Sequence, residues 1–551
     1  MSTVAQRPPR AGDPPARGRR LDALLGRVGI DRFELGVLVA LAGFSMIVFA
    51  ALLTKGRALT GADGVLAADQ LQYFAWIREA SENVLIGNKF DFLPDRHTFL
   101  HPGFLASGGV HALTGLSVPL SFQLWKPVAV VLMFAGALAY VRRLLPDRSE
   151  RRVGLVLVLF AVMPASAIMA STGLGTPLQQ YSFDFITGEM WSGQYLWGYL
   201  MTALAVFLMP LVLLGAERWR RERRARTLAL SALGALVVCW LQPWQGGTLA
   251  VIVVAVELLR WWRSGERPDP ALLAIPAAVA LPAIYYWVLS SQDPSWAIAS
   301  ESNAAGSQNS WSWPWWIVVL TVLPLAAPAA LAYRLRAPGW QEWAVRVWPL
   351  AALAVYFQPS GTFPYHSFQS LSIPLSILAV QGVASVWRPR AWVVVAAVVV
   401  LTVPGTLHRI DVARQSIQAA GDPYFVFGGE QDAMDALAAD PRAGGVLAPA
   451  YDGHMLPYKT GREVYVGALS WTPDWDLRVR LTQKLFEEGM PVEQARHFVR
   501  ATGARFVFVD CRPGLRDLEA ALRPLLEDVR RFGCASLYVL RRHPGTVLAG
   551  G

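Results

Sequence analysis

A polytopic α-helical membrane protein of about eleven spans, with a small extracytoplasmic α/β domain at its C-terminus, is the fold class this sequence predicts. Three observations carry that prediction. Hydrophobic residues make up 54% of the 551 and charged residues only 16%, a balance outside the range of ordinary soluble enzymes. Apolar runs near the length of about 20 residues needed to cross a bilayer recur as far as residue 407. Arginines cluster in alternate loops between those runs.

In chain order, residues 1–33 read as a disordered basic cytoplasmic tail, rich in Pro, Arg and Gly at its start. The first apolar run is too long for a signal-peptide core and lacks a small-residue cleavage site, so it reads as an anchor. Runs near 34–54, 118–141, 153–171, 196–215, 227–243, 247–262, 271–290, 314–333, 343–358, 370–387 and 391–407 are the expected spans. Together they make residues 34–407 the membrane domain. The first outer loop, 55–117, is far longer than a connection needs, and long loops usually carry function.

The arginines set the orientation. With the N-terminus inside, the inner loops hold Arg142, Arg143, Arg148, Arg151 and Arg152, then Arg218 through Arg226, then Arg260, Arg263 and Arg267, and then the pairs Arg334 and Arg336 and Arg388 and Arg390. The outer loops 172–195, 291–313 and 358–369 hold no Lys or Arg. That is the positive-inside rule, and it places residues 408–551 outside the cytoplasm. The net charge of +10 therefore reflects topology, and no nucleic-acid partner is expected.

From His408 onward polar residues return. Gly445–Leu447, Arg505–Val509 and Ser536–Leu540 read as strands, and Asp476–Glu488, Val492–Ala501 and Leu515–Phe532 as helices. Cys239 falls in a span and reads as packing. Cys511 closes one predicted strand and Cys534 opens the next, so they form either a disulfide, which an extracytoplasmic setting permits, or two separate core thiols.

The stretch Ala68-Asp69-Gln70-Leu71-Gln72-Tyr73 follows the first span by about fifteen residues. Asp69 opens a predicted helix, Asp69–Glu82, whose dipole favours an ionised carboxylate. Either it caps an interfacial helix or it acts as a general base. Asp63, six residues earlier in a Gly-rich turn, is a weaker candidate.

Asp69-Gln70-Leu71-Gln72-Tyr73 in a long first outer loop resembles the GT-C superfamily of membrane glycosyltransferases, as in protein O-mannosyltransferases and lipid A aminoarabinose transferases. His97-Thr98-Phe99-Leu100-His101-Pro102-Gly103 resembles the His/Lys-Pro-Pro stretch of the same loop. Two departures stand out: Gln70 where the family has Glu, and Gly103 where it has a second proline.

The resemblance implies a GT-C-like fold and a bacterial plasma-membrane enzyme. It implies a sugar carried on a polyprenyl phosphate, moved to a glycan or protein acceptor at the outer face, with Asp69 as base. Such chemistry needs cations where phosphate charge develops. The outer-side candidates are Arg57, Lys89, Arg96, His97, His101 and His366. Lys126 lies about nine residues, or roughly 13 Å, into the second span, where a cation usually faces a polar cavity; it is a candidate contact for the lipid phosphate. Asp184 and Glu189, among Tyr181, Phe183, Trp191 and Tyr195, suit sugar hydroxyls as well as an aromatic belt. Tyr73 completes the expected substrate-binding set. Asp69 and Asp184 are the candidate ligands should a divalent cation such as Mg²⁺ or Mn²⁺ take part.

Two other classes stay open on sequence. One is a transporter or flippase of lipid-linked glycans. The other is a non-catalytic envelope assembly subunit, which the missing acid at Gln70 keeps in view.

Overall fold

The computed structural model describes residues 25–27, 29–55, 58–92, 97–311, 315–358, 363–418, 423–512 and 514–542. Arg57, Arg96 and most of the N-terminal tail lie outside the described residues.

Every one of the expected apolar runs forms helix, but not every helix crosses alone. Among the described residues, six helices are long and apolar enough to span: Arg32–Leu53, Val118–Leu144, Leu200–Glu222, Pro270–Gln292, Trp315–Ala332 and Ala391–Ile417. Two bent pairs, Arg148–Phe160 with Ala165–Thr172 and Pro364–Ser370 with Ser372–Val386, raise the number to eight. By length and composition the described residues thus give six to eight spans, where the sequence led to an expectation of about eleven. Ala225–Leu241 and Trp340–Tyr356 stop at 17 residues each, and Pro243–Ser264 opens on Pro, Trp, Gln and two glycines that dilute its apolar content.

Leu200–Glu222 is the best-buried span, and it packs tightly on Trp125–Leu144. A Cβ on Gly136 would sit 2.2 Å from the Phe207 carbonyl oxygen, so only glycine permits this approach of two backbones. At the arginine-rich end, Arg143 holds Glu217 at 2.5 Å and Glu342 at 3.0 Å. Arg220 holds Glu257 at 2.5 Å there as well. These acids inside the helices are thus ion-paired at one end of the bundle.

The long first loop folds into two helices, Ala67–Glu82 and Pro102–Thr114, and is fastened to the C-terminal region. Strand β1 (Ala58–Leu59) pairs antiparallel with β2 (Phe425–Val426). The hydroxyls of Tyr424 and Tyr458 donate to the carbonyls of Gly64 at 2.7 Å and Thr60 at 2.9 Å. Arg478 closes an ion pair with Asp91 at 2.7 Å.

The C-terminal region holds a four-stranded sheet of order β3-β4-β6-β5. Its strands are β3 (Val446–Leu447), β4 (Phe506–Val509), β5 (Leu526–Phe532) and β6 (Ala535–Leu540). The β3–β4 pair is parallel and the other two pairs are antiparallel. Leu515–Phe532, expected as one helix, is instead a four-residue helix at Glu519–Leu522 followed by β5. Pro524 ends the helix, and Gly533, at φ +62°, turns the chain back into β6. Cys511 and Cys534 are disulfide-bonded, and Cys239 is a buried free thiol.

Candidate active site

Asp69 sits in the first turn of the Ala67–Glu82 helix, but Leu66 is the N-cap residue and no side chain caps it. The half-buried carboxylate of Asp69 instead accepts a 3.0 Å hydrogen bond from the Tyr199 hydroxyl. Tyr199 immediately precedes the Leu200–Glu222 helix. The turn that delivers it needs glycine: Gly198 has φ +91°, and a Cβ there would come 2.7 Å from the Cα of Gly64. Two loops far apart in sequence are thereby pressed together beside Asp69.

Burial pushes the Asp69 carboxyl above the usual carboxylate range, and the charge of Glu189 adds to that; the Tyr199 hydrogen bond and His366 pull the other way. Burial therefore acts against the helix dipole, which favours the ionised form. Tyr73, one turn further along the same helix face, lies close enough to Asp69 to feel its charge. Its ring stacks on Phe104 at 5.4 Å and Trp76 at 6.0 Å.

Glu189 and His366 meet. The His366 Nδ1 lies 3.0 Å from Glu189 Oε2, which also accepts from Gln369 at 2.9 Å. His366 packs edge-on against Trp244 at 4.7 Å. Asp184, on the same helix as Glu189, faces a different partner: His408 Nε2 is 2.7 Å from its Oδ1. Beside it, the buried Arg409 donates to the Asp184 carbonyl at 3.2 Å and to Gln194. Arg409 is close enough to Glu189 and Tyr199 to interact electrostatically with both.

Lys126, the candidate contact for the lipid phosphate, is engaged by other partners. Its ammonium forms a buried ion pair with Asp63 and donates to the Ser45 carbonyl at 3.1 Å. Gln123 and Gln70 donate to the other oxygen of Asp63 at 2.8 and 3.0 Å. Gln70 Oε1 in turn accepts the backbone N–H groups of Asp63 and Gly64 at 2.8 and 2.7 Å. An amide at position 70 both donates and accepts; a glutamate would face Asp63 with a second negative charge.

His101 is also drawn elsewhere. It caps the Pro102–Thr114 helix, accepting from the Phe104 N–H at 3.3 Å, and stacks on the Phe104 ring at 3.9 Å. Burial pushes it down to about 3, so the imidazole is neutral. His97 and Lys89 converge on Glu79 at 2.7 and 3.4 Å. Glu79 is ten positions beyond Asp69, roughly 15 Å along the helix axis.

No protein-family model matches the chain, and no curated protein matches it. Its structure is similar to that of the Archaeoglobus fulgidus oligosaccharyltransferase in the apo form. The TM-score is 0.51 at 13% identity, over 87% of this chain and 69% of that one. The two chains share a fold.

Weaker likenesses extend to two further proteins. ArnT from Cupriavidus metallidurans, solved with undecaprenyl phosphate, gives TM-score 0.49 at 15% identity, covering 96% of this chain and 99% of that one. The mycobacterial arabinofuranosyltransferase AftD gives 0.47 at 15% identity, covering 93% and 40%.

Among the described residues no three His, Cys, Asp or Glu side chains converge as a metal-binding set. The donors of this cluster also fit a divalent cation poorly. Glu189 already faces His366 and Gln369, and Asp184 faces His408 and Arg409.

Tyr199, His408 and Arg409 are the residues that sequence reasoning missed. The last span was expected to end at residue 407, yet its helix runs on to Gln418. A His-Arg pair directly after an outward-going span was the available signal for two of them. Tyr199 had none, because its partner is 130 residues away.

Proposed function

We propose that this chain is a membrane glycosyltransferase that moves a sugar from a polyprenyl-phosphate donor to a glycan or protein acceptor at the outer face of a bacterial plasma membrane. The observation that carries this reading is the Asp69 carboxylate. It is half-buried, held by Tyr199, raised above its ordinary pKa, and set beside the Glu189–His366 pair in a GT-C fold.

Asp69 takes the proton from an acceptor hydroxyl as that oxygen attacks the anomeric carbon. The bond from that carbon to the phosphate oxygen breaks, and the polyprenyl phosphate leaves with the electron pair. A raised pKa suits a base that must hold the proton once it has it. Tyr199 keeps the carboxylate aimed. Arg409 is the cation of this cluster, and the His366 ring a further polar group, available where phosphate charge grows. Glu189 orients His366 and, with Tyr73, meets sugar hydroxyls. Asp184 fixes His408 beside Arg409. Lys126 and His101 support the loop and contribute no phosphate contact. No step requires a metal.

Transport without chemistry is less well supported. The buried acids Glu217 and Glu257 are ion-paired to arginines at one end of the bundle, not poised along a path through it. Gln70 likewise has a structural duty, so its replacement of an acid is no sign of a decayed site.

The test is Asp69→Asn in purified protein supplied with a polyprenyl-phosphate sugar. Loss of turnover by about 10²–10⁴-fold is expected, with an unchanged melting temperature. Wild-type turnover in the variant would remove Asp69 from the mechanism.

A further inference from the structure

At the end of the bundle away from Asp69, the start of Arg32–Leu53, the end of Val118–Leu144 and the start of Arg148–Phe160 enclose a cavity of about 540 Å³. Four guanidinium groups line it, from Arg142, Arg148, Arg151 and Arg152. Two carboxylates face them. Glu34 accepts from Arg142 at 2.6 Å, and Asp31 accepts from Arg148 at 2.9 Å and Arg152 at 3.1 Å. Both acids are further engaged in capping the helix with each other's backbone N–H groups, at 2.9 and 2.7 Å. Two positive charges therefore remain unbalanced inside one concave surface.

Two polar groups lack the acceptor they are built for. Arg152 Nε is buried with no hydrogen-bond partner, and the Arg151 side chain has neither an ion-pair nor a hydrogen-bond partner, among the described residues. A buried donor without an acceptor costs free energy, which an incoming anion would recover. The remaining wall is apolar, with Phe33 under the Arg152 guanidinium at 4.9 Å and Leu155 beyond it. Helix ends of membrane length place the cavity at the depth of the headgroups, and its arginine content marks the leaflet as the cytoplasmic one.

We infer that this cavity is a binding site for the phosphodiester headgroup of an acidic phospholipid of that leaflet. The guanidinium forks of Arg148, Arg151 and Arg152 match phosphate oxygens, while Phe33 and Leu155 meet the glycerol and upper acyl carbons. The site is separate from the Asp69 cluster, and the inference does not rest on the transferase reading. A basic pocket between helices on the cytoplasmic side is the kind of surface that holds such lipids.

The experiment uses the full chain in nanodiscs of equal parts phosphatidylcholine and phosphatidylglycerol, with retained lipid counted by native mass spectrometry. The wild-type protein should keep phosphatidylglycerol in preference to phosphatidylcholine. Arg148→Ala/Arg151→Ala should hold it about 30-fold more weakly, and Arg148→Lys/Arg151→Lys should recover most of that loss. Melting temperatures in pure phosphatidylcholine check that all three proteins are folded. Undiminished retention by the alanine variant would overturn the proposal. So would tight binding of soluble glycerol 3-phosphate to wild-type protein that shows no lipid preference, since the ligand would then be a free phosphate.

Discussion

The Tyr199 hydroxyl donates to the Asp69 carboxylate at 3.0 Å, joining the juxtamembrane helix to the first residue before the best-buried span. That bond fixes where the carboxylate points, and it partly offsets the burial that raises its pKa.

Removing the hydroxyl should therefore move the pH profile. In Tyr199→Phe the Asp69 pKa rises further, because a bond to the ionised form is lost. The base must be ionised to act, so the acid limb of the kcat/KM profile should shift to higher pH. Activity at alkaline pH should fall by about tenfold or less, the loss of one orienting bond. An acid limb in the wild-type position would show that the limb reports another group.

Lys126 and Asp63 should behave as a coupled buried pair. Lys126→Met leaves Asp63 as an uncompensated charge, at a cost of about 3–5 kcal/mol. Asp63→Asn/Lys126→Met should recover most of it, since neither charge then remains. Melting temperatures of the two single variants and the double variant check this, and strict additivity would argue against the pairing.

Gln70→Glu restores the acid of the GT-C motif and should harm the protein. It removes the donor to Asp63 and brings a second carboxylate beside it. A loss of roughly 1–3 kcal/mol is expected, read as a lower melting temperature, with no gain in turnover.

Stability should also carry a signature of Asp452. This residue is fully buried beside Asp510, and burial followed by that neighbouring carboxylate pushes its pKa well above the ordinary 3.8. The folded protein thus holds the proton more tightly than the unfolded chain does. The stabilisation is complete below 3.8 and is lost as pH rises towards the raised value. Asp452→Asn is neutral throughout, so its melting curve should lack that decline. At neutral and alkaline pH it should melt roughly 2–4 °C above wild type. A variant that melts lower at every pH would contradict this.

Much of the molecule was legible in one dimension. Each apolar run became helix because burying about 20 side chains in lipid or protein overrides local detail. The Arg505–Val509 and Ser536–Leu540 segments became β4 and β6, their apolar residues filling the sheet core. The Leu515–Phe532 segment misled because a charged, Leu-rich stretch scores as helix, whereas Pro524 and the pairing with β6 make its second half a strand.

Composition, run length and the spacing of arginines by themselves determined the membrane class, the order of helices and the placement of Asp69 at a helix start. They do so because partition between water and hydrocarbon is decided residue by residue along the chain. Which side chain answers which carboxylate was decided only by the tertiary structure. Lys126 went to Asp63, His366 to Glu189 and His408 to Asp184, while Tyr199 came to Asp69. Such pairings depend on distances of about 3 Å between segments separated by up to hundreds of residues, and nothing in the linear order encodes them before the helices pack.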